Sequence, residues 1–325
     1  MEAALYDPER GFYATAVRAG RRGDFITSPE VGPLFGAVTA RAIDAWWCAA
    51  GEPDRLTVVE AGAGPGTWAR SVLAAEPACK AALRYVLVER SAVQRAAHRD
   101  RGLAGVESRA DLPAVEGPCI VLANELLDNL PFDLAERTPG GWADVRVVEE
   151  GGRLVEVLVP TDAEPLERLA PEATVGARIP VQRTATSWLR AALDLSGPGG
   201  RVVVIDYAST TAAMAERPAV SWLRTYRGHE RGGPPLTDLG RQDITCEVAA
   251  DQLAAVHPPA RERSQAEWLR EHGIDELVEA GRRTWAERAH LGDLEAVRAR
   301  SRITEAEALL DPAGLGGFRV LEWLP

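Results

Sequence analysis

With 325 residues, 46% of them hydrophobic, the chain can bury a full core and is neither disordered nor fibrous. A formal net charge of -11 and the lack of any long Lys/Arg run argue against a nucleic-acid partner, because a phosphate backbone must be met by clustered cations. Cys48, Cys79, Cys119 and Cys246 form no CxxC pair, and no basic-then-apolar leader or run of about 18 apolar residues occurs. A reduced, cytoplasmic protein with no zinc site, disulfide framework or membrane contact is expected.

Residues 1–55 read as a helical N-terminal segment. Within it, Ser28, Pro29 and Glu30 make a good helix start, as cap, first-turn proline and first-turn acid. Trp46 and Trp47 follow an amphipathic pattern with Phe35, Val38 and Ile43, which is core or interface packing; a homodimer stays open.

From residue 56 onward, apolar runs of strand length alternate with helical patterns, the signature of a doubly wound α/β sheet. The clearest strands are 56–61, 84–89, 118–124 and 201–207, with a weaker one near Val106. Helices are expected over 67–76 and 91–101, the second capped by Ser91. Residues 131–199 break the alternation as an α+β insertion: two alternating runs around Gly151-Gly152 form a hairpin, and an amphipathic helix follows. The stretch 226–245, polar and rich in Gly and Pro, reads as a long functional loop. Three tail helices near 265–272, 275–290 and 293–310 precede a last strand at 318–323. The α/β core would thus comprise 56–130 and 200–325.

The turn after the first strand, Glu60-Ala61-Gly62-Ala63-Gly64-Pro65-Gly66-Thr67, poses the question of its ligand. A dinucleotide loop needs G-x-G-x-x-G, and here Thr67 holds the third glycine position. A charged Glu60 would also lie close to a pyrophosphate, where like charges are costly. The same acid suits a ligand carrying a cation, as S-adenosylmethionine does with its amino group and sulfonium. Glu89, closing the second strand 23 residues beyond Gly66, is placed to take ribose hydroxyls. The bland alternative is that the glycines only make a tight turn.

"LYDPERGFY" (5–13), "GDFITSPEVGPLFG" (23–36), "VVEAGAGPGT" (58–67), "VLANELLDNLPF" (121–132), "VVVIDYA" (202–208), "LRTYRGH" (223–229) and "QDIT" (242–245) resemble the MidA family of methyltransferases. That family includes the mitochondrial complex I assembly factor, a protein arginine methyltransferase. The resemblance implies a Rossmann-like seven-stranded methyltransferase sheet, S-adenosyl-L-methionine as cofactor, and a lid formed by the segment around Thr27, Ser28, Pro29 and Glu30. Two departures stand out. Family members usually carry another helical segment before "LYDP", and their loop is commonly "ELGPGRG", whose arginine is missing here.

Methyl transfer is an in-line displacement governed by positioning, and an arginine acceptor calls for carboxylates that pair with its planar fork. Glu125 and Asp128, spaced i, i+3 after Asn124, would lie on one side of a helical turn and face a guanidinium together. Otherwise Asn124 caps a helix, Glu125 favours its positive end and Asp128 is solvated. Asp206 ends a strand and either faces the cleft or caps a loop. Tyr226, His229, Gln242 and Asp243 match the family's pattern and would shape an acceptor pocket, His229 being as easily a solvated loop residue. His98, His257, His272 and His290 read as surface residues. The methyl acceptor would be a protein or a small molecule. A non-catalytic cofactor-binding assembly factor and an NAD-dependent oxidoreductase are the other readings, disfavoured by the intact loop and by Thr67 with Glu60.

Overall fold

The structure, a computed structural model, describes residues 1–15, 27–103, 105–228 and 230–325. It divides into two compact units, one of residues 1–16, 126–192 and 206–259, the other of 17–125, 193–205 and 260–325. The sequence reading places 200–325 in a single core. Instead, residues 206–259 cluster with the inserted segment and with the chain's first residues, because their strands and helices pack there.

The second unit holds a seven-stranded sheet. Its strands are β1 (Leu56–Ala61), β2 (Leu83–Val88), β3 (Glu107–Arg109), β4 (Cys119–Asn124), β5 (Arg201–Asp206), β6 (Arg261–Ser264) and β7 (Arg319–Trp323), in the order β6-β7-β5-β4-β1-β2-β3. The β3-β2-β1-β4-β5 run is parallel, and β6 pairs antiparallel with β7. β1 and β4 are buried along their whole length, so they read as continuous apolar runs rather than as alternation. Strand order reverses at β1, whose neighbours are β2 and β4, and ligands bind outside the carboxyl ends at such a point.

Val58, Leu87, Ile120, Leu122, Val203 and Ile205 supply the sheet's side of the core, with Leu34, Phe35, Val38 and Ile43 of helix α1 (Pro33–Ala49) and Trp68 of helix α2 (Thr67–Ala74) among their partners. Trp46 and Trp47 lie against the same core, and the Arg201 guanidinium sits 4.7 Å from the Trp46 ring. His272, expected at the surface, packs edge-on to Trp268 at 4.8 Å and to Trp46 at 5.7 Å; burial lowers its pKa to about 4.

The first unit carries the hairpin, Gly141–Glu150 paired antiparallel with Arg153–Pro160, in a four-stranded sheet with Asp133–Thr138 and Arg178–Val181. The stretch 226–245 is less of a loop than its composition suggests. Leu223–Arg227, Glu230–Arg231 and Asp243–Cys246 form a three-stranded antiparallel sheet, and Gln242 braces the turn between them. Its Oε1 accepts from Gly233 N at 3.0 Å, and its Nε2 donates to the Pro234 and Thr237 carbonyls at 2.9 Å each. Gln242 is therefore a structural brace.

Candidate active site

The glycine turn joins β1 to α2. Gly62, Gly64 and Gly66 have φ of 70°, 52° and 77°, left-handed values that an L side chain resists, which explains the G-x-G-x-G spacing. At Gly66 a Cβ would also stand 2.4 Å from Leu103 Cδ1. Thr67 donates its hydroxyl to Glu30, so the residue that breaks the dinucleotide pattern fastens the turn to the N-terminal segment.

Both ends of the Gly64 residue are held. Its N–H donates to Glu89 Oε2 at 2.8 Å, while Glu89 Oε1 accepts from Ser91 N at 2.7 Å. The Gly64 carbonyl oxygen lies 2.7 Å from His98 Nε2. His98 belongs to helix α3 (Ala92–His98), capped by Ser91 as expected, and at 1% exposure it is not the surface residue its sequence suggests. A lone histidine in a helical pattern gives no warning of this. On the same helix face Gln94 is buried, and its Oε1 has no partner among the described residues.

Glu60 differs from its expected role. Its carboxyl is buried beneath α2, accepts from Tyr85 OH at 2.8 Å and is bonded by the Ala69 amide; burial raises its pKa to about 8. Burial thus favours its neutral form, which weakens the like-charge case against a pyrophosphate. Burial also raises Glu89.

Thr27–Glu30 is pinned to the core. Helix Ser28–Val31 has Thr27, not Ser28, at its N-cap; the buried Ser28 hydroxyl instead donates to Gln265 at 2.8 Å. Pro29 occupies the first turn and is buried. Gly32 is required by a close approach: a Cβ there would meet Glu305 Cδ at 2.2 Å, and Glu305 accepts from Leu34 N at the start of α1. Asp24 and Phe25, upstream in the expected lid, and His229 lie outside the described residues.

Asn124 ends β4 and caps no helix. Its Nδ2 donates to Glu125 Oε1 at 3.1 Å, and its Oδ1 is buried without a partner among the described residues. Glu125 has φ 49°, a strained conformation for a non-glycine residue, and its Oε1 also lies 3.3 Å from Ser28 N. Burial raises its carboxyl to about 7. Asp128 sits in a short 3-10 turn, Leu127–Asn129, and accepts from the Tyr207 hydroxyl. Glu125 and Asp128 therefore do not share one side of a helical turn: the left-handed Glu125 breaks the helix before it begins.

In the first unit, Asp128 belongs to a buried acidic cluster. Asp206 closes the 3-10 turn, its Oδ2 accepting from Leu127 N at 3.0 Å and Asp128 N at 3.3 Å, which is the capping alternative. Asp243, fully buried, accepts at Oδ1 from Tyr13 OH (3.1 Å), Asn129 Nδ2 (3.1 Å) and Ile244 N (2.9 Å). Its Oδ2 is buried with no partner among the described residues. Burial, then the neighbouring Asp128 charge, pushes the Asp243 carboxyl up to about 7. The "LYDPERGFY" stretch supplies two tyrosines that sequence reading missed as site residues: Tyr6 and Tyr13 stack at 5.6 Å, and Tyr6 OH donates to the Asn129 carbonyl at 3.1 Å. Their shared spacing within one short motif was the available signal.

A family model described as "Putative S-adenosyl-L-methionine-dependent methyltransferase" matches residues 38–266. The chain is similar to mitochondrial protein arginine methyltransferase NDUFAF7 of Mus musculus (27% identical, covering 85% of this chain and 70% of the relative) and of Danio rerio (28%, 86% and 73%). Those relatives are mitochondrial by name, so the cytoplasmic expectation draws no support from them. A crystal structure of a "likely methyl transferase" from Burkholderia thailandensis bound to S-adenosyl-homocysteine matches with a TM-score of 0.82 at 26% identity, covering 100% of this chain and 86% of that one. The chain belongs to this family of S-adenosyl-L-methionine-dependent methyltransferases and is an enzyme that uses that cofactor.

Proposed function

We propose that the enzyme methylates a nitrogen of an arginine side chain in a protein, with the glycine turn holding the cofactor and the buried acidic cluster around Asp243 holding the acceptor. The donor set suits the cofactor. Gln94 Oε1 and Asn124 Oδ1 are buried acceptors awaiting donors, and burial raises the carboxyls of Glu89 and Glu125, as fits a ligand rich in hydroxyl and amino groups. Gly62, Gly64 and Gly66 let the backbone approach it, Glu89 takes ribose hydroxyls, and Asn124, Glu125 and the Thr27–Glu30 segment flank it. Glu60 acts by bracing α2 through the Ala69 amide. Bound S-adenosylmethionine supplies an electrophilic methyl group on its sulfonium.

The observation that carries the arginine reading is Asp243. Three donors fix its Oδ1, leaving a buried Oδ2 that calls for a donor, and burial, with the neighbouring Asp128 charge second, raises the carboxyl to about 7. A guanidinium N–H answers both needs, since a charge-assisted bond is strong and the cation relieves the repulsion from Asp128. A carboxyl of that pKa also accepts the proton that the methylated nitrogen gives up. The names of the curated relatives agree with this acceptor.

Transfer of labelled methyl groups from S-adenosylmethionine into a protein extract, followed by acid hydrolysis and amino-acid analysis, tests the reading. Label in methylarginine is expected. Label confined to small molecules, or in another amino acid, contradicts it.

A further inference from the structure

The turn that carries the cofactor is usually explained by its glycines and by the acid after the second strand. Here a third element acts on it. Gly64 is gripped at both ends, by Glu89 on its N–H and by His98 on its carbonyl oxygen. A carbonyl oxygen only accepts, so His98 Nε2 must carry a proton. On the other side of the ring, Nδ1 lies 2.9 Å from Ser108 Oγ at the centre of β3. Burial lowers the His98 pKa, which keeps the ring neutral. With Nε2 protonated, Nδ1 is then the acceptor and the Ser108 hydroxyl the donor. The chain of bonds from Ser108 through His98 to Gly64 has one consistent direction.

Gln94 gives an independent pointer to a ligand on this side of the turn. It lies one helical turn before His98, and its unpartnered Oε1 stands 3.8 Å from where a Cβ on Gly64 would be. A buried acceptor with no donor is costly, so its place beside the turn marks where a donor-bearing ligand arrives.

We infer that His98 is a positioning residue for S-adenosylmethionine, acting through the Gly64 carbonyl to hold the turn in its cofactor-binding shape, with Ser108 fixing its tautomer. The inference rests on the glycine turn being the cofactor site and is independent of which acceptor is methylated. Removing the ring strands the Gly64 carbonyl and frees the turn to rotate away from Glu89.

The test measures S-adenosylhomocysteine affinity by calorimetry and thermal stability for His98→Ala, His98→Gln and Glu89→Gln, alongside nitrogen-15 NMR of the histidine rings. His98→Ala is expected to weaken binding about tenfold to a hundredfold. His98→Gln, whose amide N–H reaches toward the same carbonyl, should recover most of that affinity. The wild-type His98 ring should show a protonated Nε2 and a bare Nδ1. Weakened binding in Glu89→Gln together with unchanged binding in His98→Ala overturns the inference while leaving the turn as the cofactor site. Unchanged binding in Glu89→Gln overturns that assignment of the turn, and the inference with it. Equal loss in His98→Ala and His98→Gln, matched by equal loss of thermal stability, reduces His98 to a core residue and also overturns it.

Discussion

The glycine turn and the acidic cluster solve different problems with different materials. The turn works through backbone: left-handed residues expose amides and carbonyls, and side chains such as Glu89 and His98 hold those groups in place. The cluster works through side chains: Asp243 Oδ1 is saturated by three donors so that Oδ2 is left over, and buried acids keep the local potential negative. A backbone site is sensitive to any change in φ and to the side chains that hold its amides and carbonyls. A side-chain site depends on the charge and donor pattern of the groups that meet the ligand themselves, so an isosteric change of Asp243 should harm it most.

Asp243→Asn should break the cluster with the largest effect. The three donors on Oδ1 oblige the amide oxygen to stay there, so the new NH2 falls where Oδ2 was and confronts the acceptor's own donors. The transfer rate at saturating cofactor should fall about a hundredfold or more, with the fold intact by circular dichroism. Next, Gly66→Ala should destabilise the protein by about 2–4 kcal/mol in chemical denaturation, combining left-handed backbone strain with the approach to Leu103. Gly64→Ala, with nothing nearer than Gln94 Oε1 at 3.8 Å, should lose only about 1–2 kcal/mol. If the two losses are equal, conformation alone governs the turn.

The smallest effect concerns pH. Glu60 has its pKa raised by burial from 4.5 to about 8, so the folded chain binds the proton more tightly than the unfolded chain. Its contribution to stability is full below about pH 4.5 and is lost as pH rises through about 8. Glu125 and Asp243, both near 7, push in the same direction. The melting temperature of the ligand-free protein should therefore fall between pH 6 and 9, and Glu60→Gln should flatten part of that slope. An unchanged slope would show that Glu60 is ionised in the fold.

The same contrast explains what the sequence discloses. β1, β2, β4 and β5 are legible to within about a residue because largely buried strands leave short, mainly apolar runs. The turn is legible because its glycines and Glu89 are local to one strand-helix-strand unit. The members Asp128, Asp206 and Asp243 of the acidic cluster are legible from their motifs but their assembly is not, since Tyr13 and Asp243 lie 230 residues apart and Asn129 and Asp243 114 apart, and no spacing rule reaches that far. Glu60 is legible as a strand-ending acid, whereas the Tyr85 hydroxyl and Ala69 amide that hold its carboxyl are not. The misreading of Glu125 with Asp128 has a local cause: the i, i+3 rule presumes helical backbone, and φ of 49° at Glu125 removes it.

The central claim is that cofactor and acceptor are held by separate groups, and the heat of S-adenosylhomocysteine binding to Asp243→Asn, set beside that to Glu89→Gln, tests it most directly. The account predicts wild-type affinity in Asp243→Asn, within about twofold, and a loss of about tenfold or more in Glu89→Gln. Comparable losses in both variants would contradict it.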